Sequence, residues 1–307
     1  MISKLSGSIQ QFLADLDRTQ AQLLQAQAEV SSGLRVQQPS DDPAAIAEIL
    51  QIQGDIAQNQ QVQSNLGTAK TEVDTADTAL QSAVQLVENA LSLAVQGGNS
   101  ATTATQRTDL ASQTSDFLGA LVGISTTTVN GRYIFSGDQD DGPAYQLDAS
   151  QPNGVKQLLS GPSTRVIVGV DGTAITVSKT AQEIFDAHDA NGAAAAGNVF
   201  AAISALQKAL ASNDQAGILQ AADSLRSADS YLNSQLAFYG STQNRIENAT
   251  GLAQKFQLQE QAGLSRVRDA DVPALALQIS QDQVQQQASL AVQAKVTQSR
   301  NLFDYLA

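Results

Sequence analysis

Hydrophobic residues recur at helical spacing almost from the first residue of this chain. Leu5, Ile9, Phe12, Leu16, Thr19, Leu23, Ala26 and Val30 follow one another at alternating steps of four and three. That is the a/d stripe of a coiled-coil helix, with Thr19 as its polar member. Gly33 then supplies a stop. A helix over about 3–32 would be roughly 45 Å long. Its apolar seam is narrow, while backbone ordering costs about 1–2 kcal/mol per residue. The segment is therefore expected to be frayed in the free chain and to order on assembly.

The other end carries a stripe of the same kind. Val292, Val296, Ser299, Phe303 and Leu306 step by four and three, and Leu275 and Ile279 belong to the same helical run. Between them lies QDQVQQQ (Gln281 to Gln287), a polar face suited to other polar helices, to a wet channel or to solvent. The middle repeats the helical period in Leu80, Val84, Val87, Leu91 and Ala94, ended by Gly97 and Gly98, and in Leu110, Phe117, Leu121 and Ile124. It returns in Val199, Ile203, Leu206 and Leu210, in Leu225, Leu232, Leu236 and Tyr239, and in Ile246, Ala253 and Phe256.

Residues 129–180 break this pattern with clustered Gly and three of the six Pro. RVIVGVDGTAITVS reads as two strands about Asp171-Gly172, and TTVNGRYIFSG as a second hairpin about Asn130-Gly131. NGAAAAGN (Asn191 to Asn198) reads as a return linker. The fold class expected is mainly α: an elongated helical bundle or coiled coil formed by both termini, with a small β-rich insert in the middle of the chain. Residues 1–41 and 266–307 would form an inner terminal coiled-coil domain. Residues 42–130 and 195–265 would form a helical rod domain, and 131–194 an outer β-rich insert.

Charge sharpens the division. The formal charge is −13, yet residues 1–40 and residues 266–307 each sum to zero, leaving 10 basic and 23 acidic residues between them. Neutral ends suit dense packing of identical copies, and an acidic middle suits a wet surface. This balance argues against nucleic acid. No apolar run is long enough to span a bilayer, so no membrane insertion is expected. The start has one Lys and no apolar block, so no cleavable secretory signal is expected. Aromatics are 4% and Trp is absent, which predicts thin cores of small residues.

Candidate chemistry is sparse. Cysteine is absent, which removes disulfides, thiol catalysis and thiolate metal sites. The single histidine, His188 in DAHDANG, reads as a solvated loop residue. SGDQDDGP (Ser136 to Pro143) reads as an acidic turn, because Gly142 stands where a calcium loop wants an oxygen ligand. No phosphate-binding loop, dinucleotide fingerprint or nucleophile elbow occurs. Neither catalysis, nor a metal, nor a cofactor is expected.

SSGLRVQQPSDDPAA (Ser31 to Ala45) resembles the N-terminal signature of the bacterial flagellin family, where a heptad helix runs into a Ser-Gly-Leu-Arg segment and an Asp-Asp-Pro-Ala helix start. NGRYIFSG (Asn130 to Gly137) and the ending in LFDYLA are similar to the hook-associated branch of that family. Pro273 departs from it, standing where a helix former is usual and bringing the start of the last helix into question. The resemblance implies a structural subunit exported by the type III route of the flagellum and joining hook to filament. Its implied partners are a hook-side hook-associated protein, flagellin, further copies of itself in a ring, and a cytoplasmic export chaperone on the C-terminal segment. Its implied place is the extracellular hook–filament junction, after a cytoplasmic stage. The resemblance also assigns roles. Leu5, Ile9, Phe12, Leu16, Leu23 and Val30 would pack with Val292, Val296, Phe303 and Leu306 in an inner tube. Gly33, Arg35, Asp41, Asp42 and Pro43 would shape a connector. Asn130, Gly131, Arg132, Tyr133, Phe135 and Gly137 would form the motif at the exit from the rod. The alternatives are a filament flagellin and, more distantly, a secreted coiled-coil adhesin.

Overall fold

The computed structural model describes residues 2–298, and the side chains of residues 10–295. Among them are seven helices: α1 (Ile2–Ser32), α2 (Pro43–Gly98), α3 (Ala104–Ser125), α4 (Ala181–Phe185), α5 (Val199–Ala211), α6 (Gln215–Arg268) and α7 (Val272–Gln298). Six short strands, β1 (Thr128–Val129), β2 (Arg132–Tyr133), β3 (Tyr145–Leu147), β4 (Val155–Gln157), β5 (Val166–Val168) and β6 (Ala174–Thr176), form three antiparallel pairs in sequence order. The chain divides into two compact units. One comprises Met1–Gln58 with Phe256–Ala307, and the other Asn59–Lys255.

The larger unit is organised by α2. Leu66, Ala69, Val73, Ala76, Leu80, Ala83, Val87, Ala90 and Ala94 are all buried, an unbroken alternation of steps of three and four. Alanine occupies every seventh position from Ala69 to Ala90, so a neighbouring backbone can approach closely with few aromatics. On α6 the buried series Ile218, Ala221, Leu225, Ala228, Leu232, Gln235, Tyr239, Thr242 and Ile246 keeps the same rhythm. The two helices run antiparallel. The Asn59 amide donates to the Ala253 carbonyl at 3.0 Å, Gln243 to Asp74 at 3.0 Å, and Gln215 to the Gly98 carbonyl at 2.9 Å.

One end of this bundle is closed by a buried arginine. Arg107 donates to the carbonyls of Gly97 at 2.7 Å and Asn99 at 3.0 Å, where α2 ends, and to Asn213 at 2.5 Å in the turn before α6. A cation at the carbonyl end of a helix suits the helix dipole. Thr103 caps α3 in a reciprocal box with Gln106.

The β-rich part stands where the Gly and Pro clusters predict it. Asn130 and Gly131 both have positive φ, 51° and 79°, the conformation a two-residue hairpin turn needs. β5 and β6 flank Asp171-Gly172 as the pattern suggests. β3, β4 and α4 are additional to the elements that the sequence pattern predicts. Their core is aromatic. Phe135 meets Phe185 edge-on at 6.0 Å, and Tyr145 and Phe185 lie 5.2 and 5.8 Å from Phe200 on α5. Asp186 binds this layer together, accepting from Tyr145 at 3.0 Å and from Asn198, the N-cap of α5, at 2.8 Å. Burial and the neighbouring Asp186 carboxylate push the Tyr145 hydroxyl pKa up. The stretch read as a linker is an ordered turn, paired at His188–Ala194.

Candidate functional site

The smaller unit holds the terminal helices and the connector. α1 ends at Ser32 because Gly33 takes φ +70°, donating its N–H back to the Glu29 carbonyl at 2.8 Å. The next residues pair with the segment between α6 and α7. The Gly33 carbonyl accepts from the Ala270 N–H at 3.0 Å, the Arg35 N–H donates to the Arg268 carbonyl at 2.8 Å, and Leu34 bridges to Asp269. The Arg35 guanidinium reaches the Val267 carbonyl at 2.6 Å and the Asp42 carboxylate at 3.0 Å. Under this crossing lies a small core of Val36, Ala45 and Ile49, with Leu264 and Val267 packed against it.

The two aspartates of the connector divide the work. Asp41 closes the turn, accepting the N–H groups of Gln37 at 2.9 Å and Gln38 at 2.8 Å. Asp42 caps α2, accepting from the Ala45 N–H at 3.0 Å, and Pro43 opens the helix where its missing N–H costs nothing. Both carboxyls are held below the ordinary carboxylate range. The cause for Asp41 is the Gln38 and then the Gln37 N–H; for Asp42 it is the Ala45 N–H and then Arg35. Pro273 proves compatible with an early helix start: α7 begins at Val272, and Asp271 accepts from the Ala274 N–H at 3.1 Å.

α1 and α7 pack on one another. On α1 the less exposed residues recur at steps of four and three. Phe12, Leu16, Leu23 and Val30 are half-buried, and Thr19 and Ala26 are buried. Thr19 satisfies its hydroxyl on the Asp15 carbonyl at 3.0 Å. On α7 the half-buried residues are Leu275, Ile279, Asp282, Gln286, Ser289 and Gln293, again at steps of four and three. Four of these six are polar. One Asp282 carboxylate oxygen is enclosed there without a hydrogen-bond partner. Beyond Leu275 and Ile279, apolar residues of α7 point elsewhere: Leu277 is 62% exposed, Val284 64% and Val292 57%. Val292, expected in the packed stripe, therefore does not turn toward α1 within the chain. Leu5 and Ile9 fall within α1 and Val296 within α7, outside the described side chains, and Phe303 and Leu306 lie outside the described residues.

The rod-exit motif belongs to the larger unit and acts as an anchor. Asn130 and Gly131 make the hairpin turn, and Arg132 pairs with Asp140 at 2.7 Å. The Tyr133 N–H donates to the Asp140 carbonyl at 2.9 Å. Phe135 is fully buried, and its carbonyl accepts from the Ala181 N–H at 2.7 Å. Gly137 has φ +66°, and a Cβ there would stand 2.6 Å from the Pro162 carbonyl oxygen. In the loop expected to be an acidic turn, Asp138 accepts from Thr164 and Asp140 from Arg132.

The geometry is that of a subunit whose terminal helices hold apolar surface in reserve. Comparison with known proteins places it. A family model described as the bacterial flagellin N-terminal helical region matches residues 5–140. The first 140 residues of the chain are thus similar to the N-terminal region of bacterial flagellins. It is 26% identical over 298 residues to flagellar hook-associated protein 3 of Escherichia coli (strain K12), covering 91% of this chain and 92% of that protein. It is 25% identical over 279 residues to flagellin of Bacillus subtilis (strain 168), covering 88% of each. Its fold is shared with a solved structure of a putative flagellar hook-associated protein from Vibrio parahaemolyticus, with a TM-score of 0.65 at 21% identity, covering 75% of this chain and all of that one.

Proposed function

We propose that this flagellin-like chain is a non-enzymatic structural subunit of the bacterial flagellum that joins the hook to the filament. The observation that carries the reading is the mixed burial of α7, where Asp282, Gln286 and Gln293 are half-buried beside Leu275 and Ile279 while Leu277, Val284 and Val292 are exposed. Such a helix gains from neighbours that cover its apolar side. Repetition of one heterologous contact builds a ring or a helical tube. In this reading the stripe from Leu5 to Val30 and the residues Val292, Val296, Phe303 and Leu306 contribute to the inner wall. The Gly33–Pro43 connector sets where the helices leave it. The hook-side neighbour is a hook-associated protein, the distal neighbour is flagellin, and copies of this chain lie alongside. Before export through the flagellum's type III channel, a cytoplasmic chaperone covers the C-terminal segment.

A second reading, a filament flagellin, is supported by the match to a flagellin family model and by the similarity to flagellin of Bacillus subtilis. Gold-labelled antibody on isolated flagella separates the two. A band confined to the hook–filament boundary supports the junction role. Label along the whole filament assigns a flagellin, and flagella without label overturn both readings.

A further inference from the structure

The larger unit carries a cleft between α2 and β5. In the β5–β6 pair, Val177 donates to the Arg165 carbonyl at 3.3 Å and Gly169 to the Thr173 carbonyl at 2.9 Å. Ile167 is paired with Ile175 between them. Antiparallel strands alternate the direction of their backbone groups. Arg165, Ile167 and Gly169 therefore face β6, and Val166 and Val168 present their N–H and C=O groups at the opposite edge. Among the described residues no other partner takes those groups, and β5 is an edge strand of a two-stranded sheet.

That edge borders a cleft of about 550 Å3, floored by Val62 and Ala69 of α2 and flanked by Asn65 and Thr68. Val166 is 46% exposed and Val168 54%. Edge strands are usually guarded by charge, proline or a bulge, and Val166–Val168 has none of these. The two charges at the cleft, Glu72 and Arg165, neutralise each other through contacts of 2.6 and 2.7 Å. The surrounding region, residues 41–265, has 23 acidic residues against 10 basic.

We propose that this cleft binds an extended, β-branched, uncharged peptide segment flanked by basic residues, added as a third strand to β5. The segment would be supplied by a different protein. A second copy would bring an equally acidic middle, whereas basic flanks complement the field around a neutral cleft. Main-chain bonds to Val166 and Val168 would supply affinity, and side chains entering over Ala69 would supply selectivity. The proposal rests on the cleft alone and does not depend on the junction role.

The test uses the full chain, labelled with 15N, and two blocked peptides, Lys-Val-Thr-Val-Lys and Lys-Val-Pro-Val-Lys. The first is expected to shift the Val166 and Val168 amides saturably, together with residues 62–72. The proline peptide, which lacks a ladder donor, should bind at least about tenfold more weakly, roughly the effect of one lost main-chain bond. Thr68→Arg, an exposed change that fills the cleft from α2, should abolish the shifts while the rest of the spectrum is kept. Equal binding of both peptides would overturn the proposal. So would saturable shifts confined to other residues, or no shift at millimolar peptide. Concentration-dependent self-association through the same amides would overturn the choice of partner by making a second copy the occupant.

Discussion

The exposed apolar side of α7 should be dispensable for the chain itself and indispensable for its assembly. The perturbation is the triple substitution Leu277→Gln, Val284→Gln and Val292→Gln, which keeps good helix formers in place. Because these residues are already 62%, 64% and 57% exposed, the monomer should change by no more than about 0.5 kcal/mol per site. Fully burying one such side chain is favourable by about 1.5–3 kcal/mol. The part still uncovered would thus contribute about 1–2 kcal/mol per residue on assembly, or about 3–6 kcal/mol for the three together. That corresponds to a loss of about two to four orders of magnitude in subunit affinity. Two readouts are needed: urea unfolding of the purified chain, and electron microscopy of cells that carry the triple variant as their only copy. The expected outcome is an unchanged unfolding midpoint, normal export and no filaments. Filaments of normal number and length would refute the reasoning. So would a fall of several kcal/mol in the unfolding free energy, because the three residues would then be part of the chain's own core.

Arg107→Met should lower the stability of the larger unit by about 2–4 kcal/mol, since the Gly97 and Asn99 carbonyls and Asn213 all lose a donor; chemical denaturation measures it. Gly137→Ala combines a left-handed backbone with a clash against Pro162, and should cost more than the roughly 1–2 kcal/mol of the conformation alone, read as a fall in Tm. The connector should loosen in acid. The Asp41 and Asp42 pKa values are depressed in the folded chain, so their stabilisation is present above the unfolded carboxylate value, near about 4, and is lost as pH falls through the lower folded values. Limited proteolysis between Gly33 and Asp42 should be flat above that range and accelerate below it, and Asp42→Asn should be cut readily at every pH.

The helical parts were legible because their signals are local. The α1 stripe, the stop at Gly33, the Asp-Asp-Pro start of α2 and the end at Gly98 all follow from spacing and caps. The hairpins at Asn130-Gly131 and Asp171-Gly172 follow from turn chemistry. β3 and β4, three residues each and reading Tyr-Gln-Leu and Val-Lys-Gln, are too short to show a period. They exist because Tyr145 packs on Phe200 and bonds to Asp186, contacts brought in from residues about 40 and 55 positions away. The inward side of α7 was hidden for another reason. Apolar spacing alone does not mark it, because the half-buried residues of α7 include Asp282, Gln286, Ser289 and Gln293. Of the connector, the caps could be read directly. The crossing of Gly33–Val36 with Val267–Ala270 could not, because backbone pairing over such a separation leaves no mark in composition.

The alanine rhythm of α2 has a consequence for how the long helices find their alignment. Layers of Leu or Val alternate with layers of Ala from Leu66 to Ala90, so the shape of the seam nearly repeats every seven residues. Sliding α6 by one such interval would return bulk to bulk and gap to gap, at little loss of apolar contact. Asn59 would then miss the Ala253 carbonyl, Gln243 would miss Asp74, and Gln215 would miss Gly98. The Asn59 bond is buried, so its loss costs about 1–3 kcal/mol, while the half-buried Gln243 bond and the exposed Gln215 bond add less. The hydrocarbon holds the two rods together like a rack with even teeth, and a few amides act as the key that admits a single engagement.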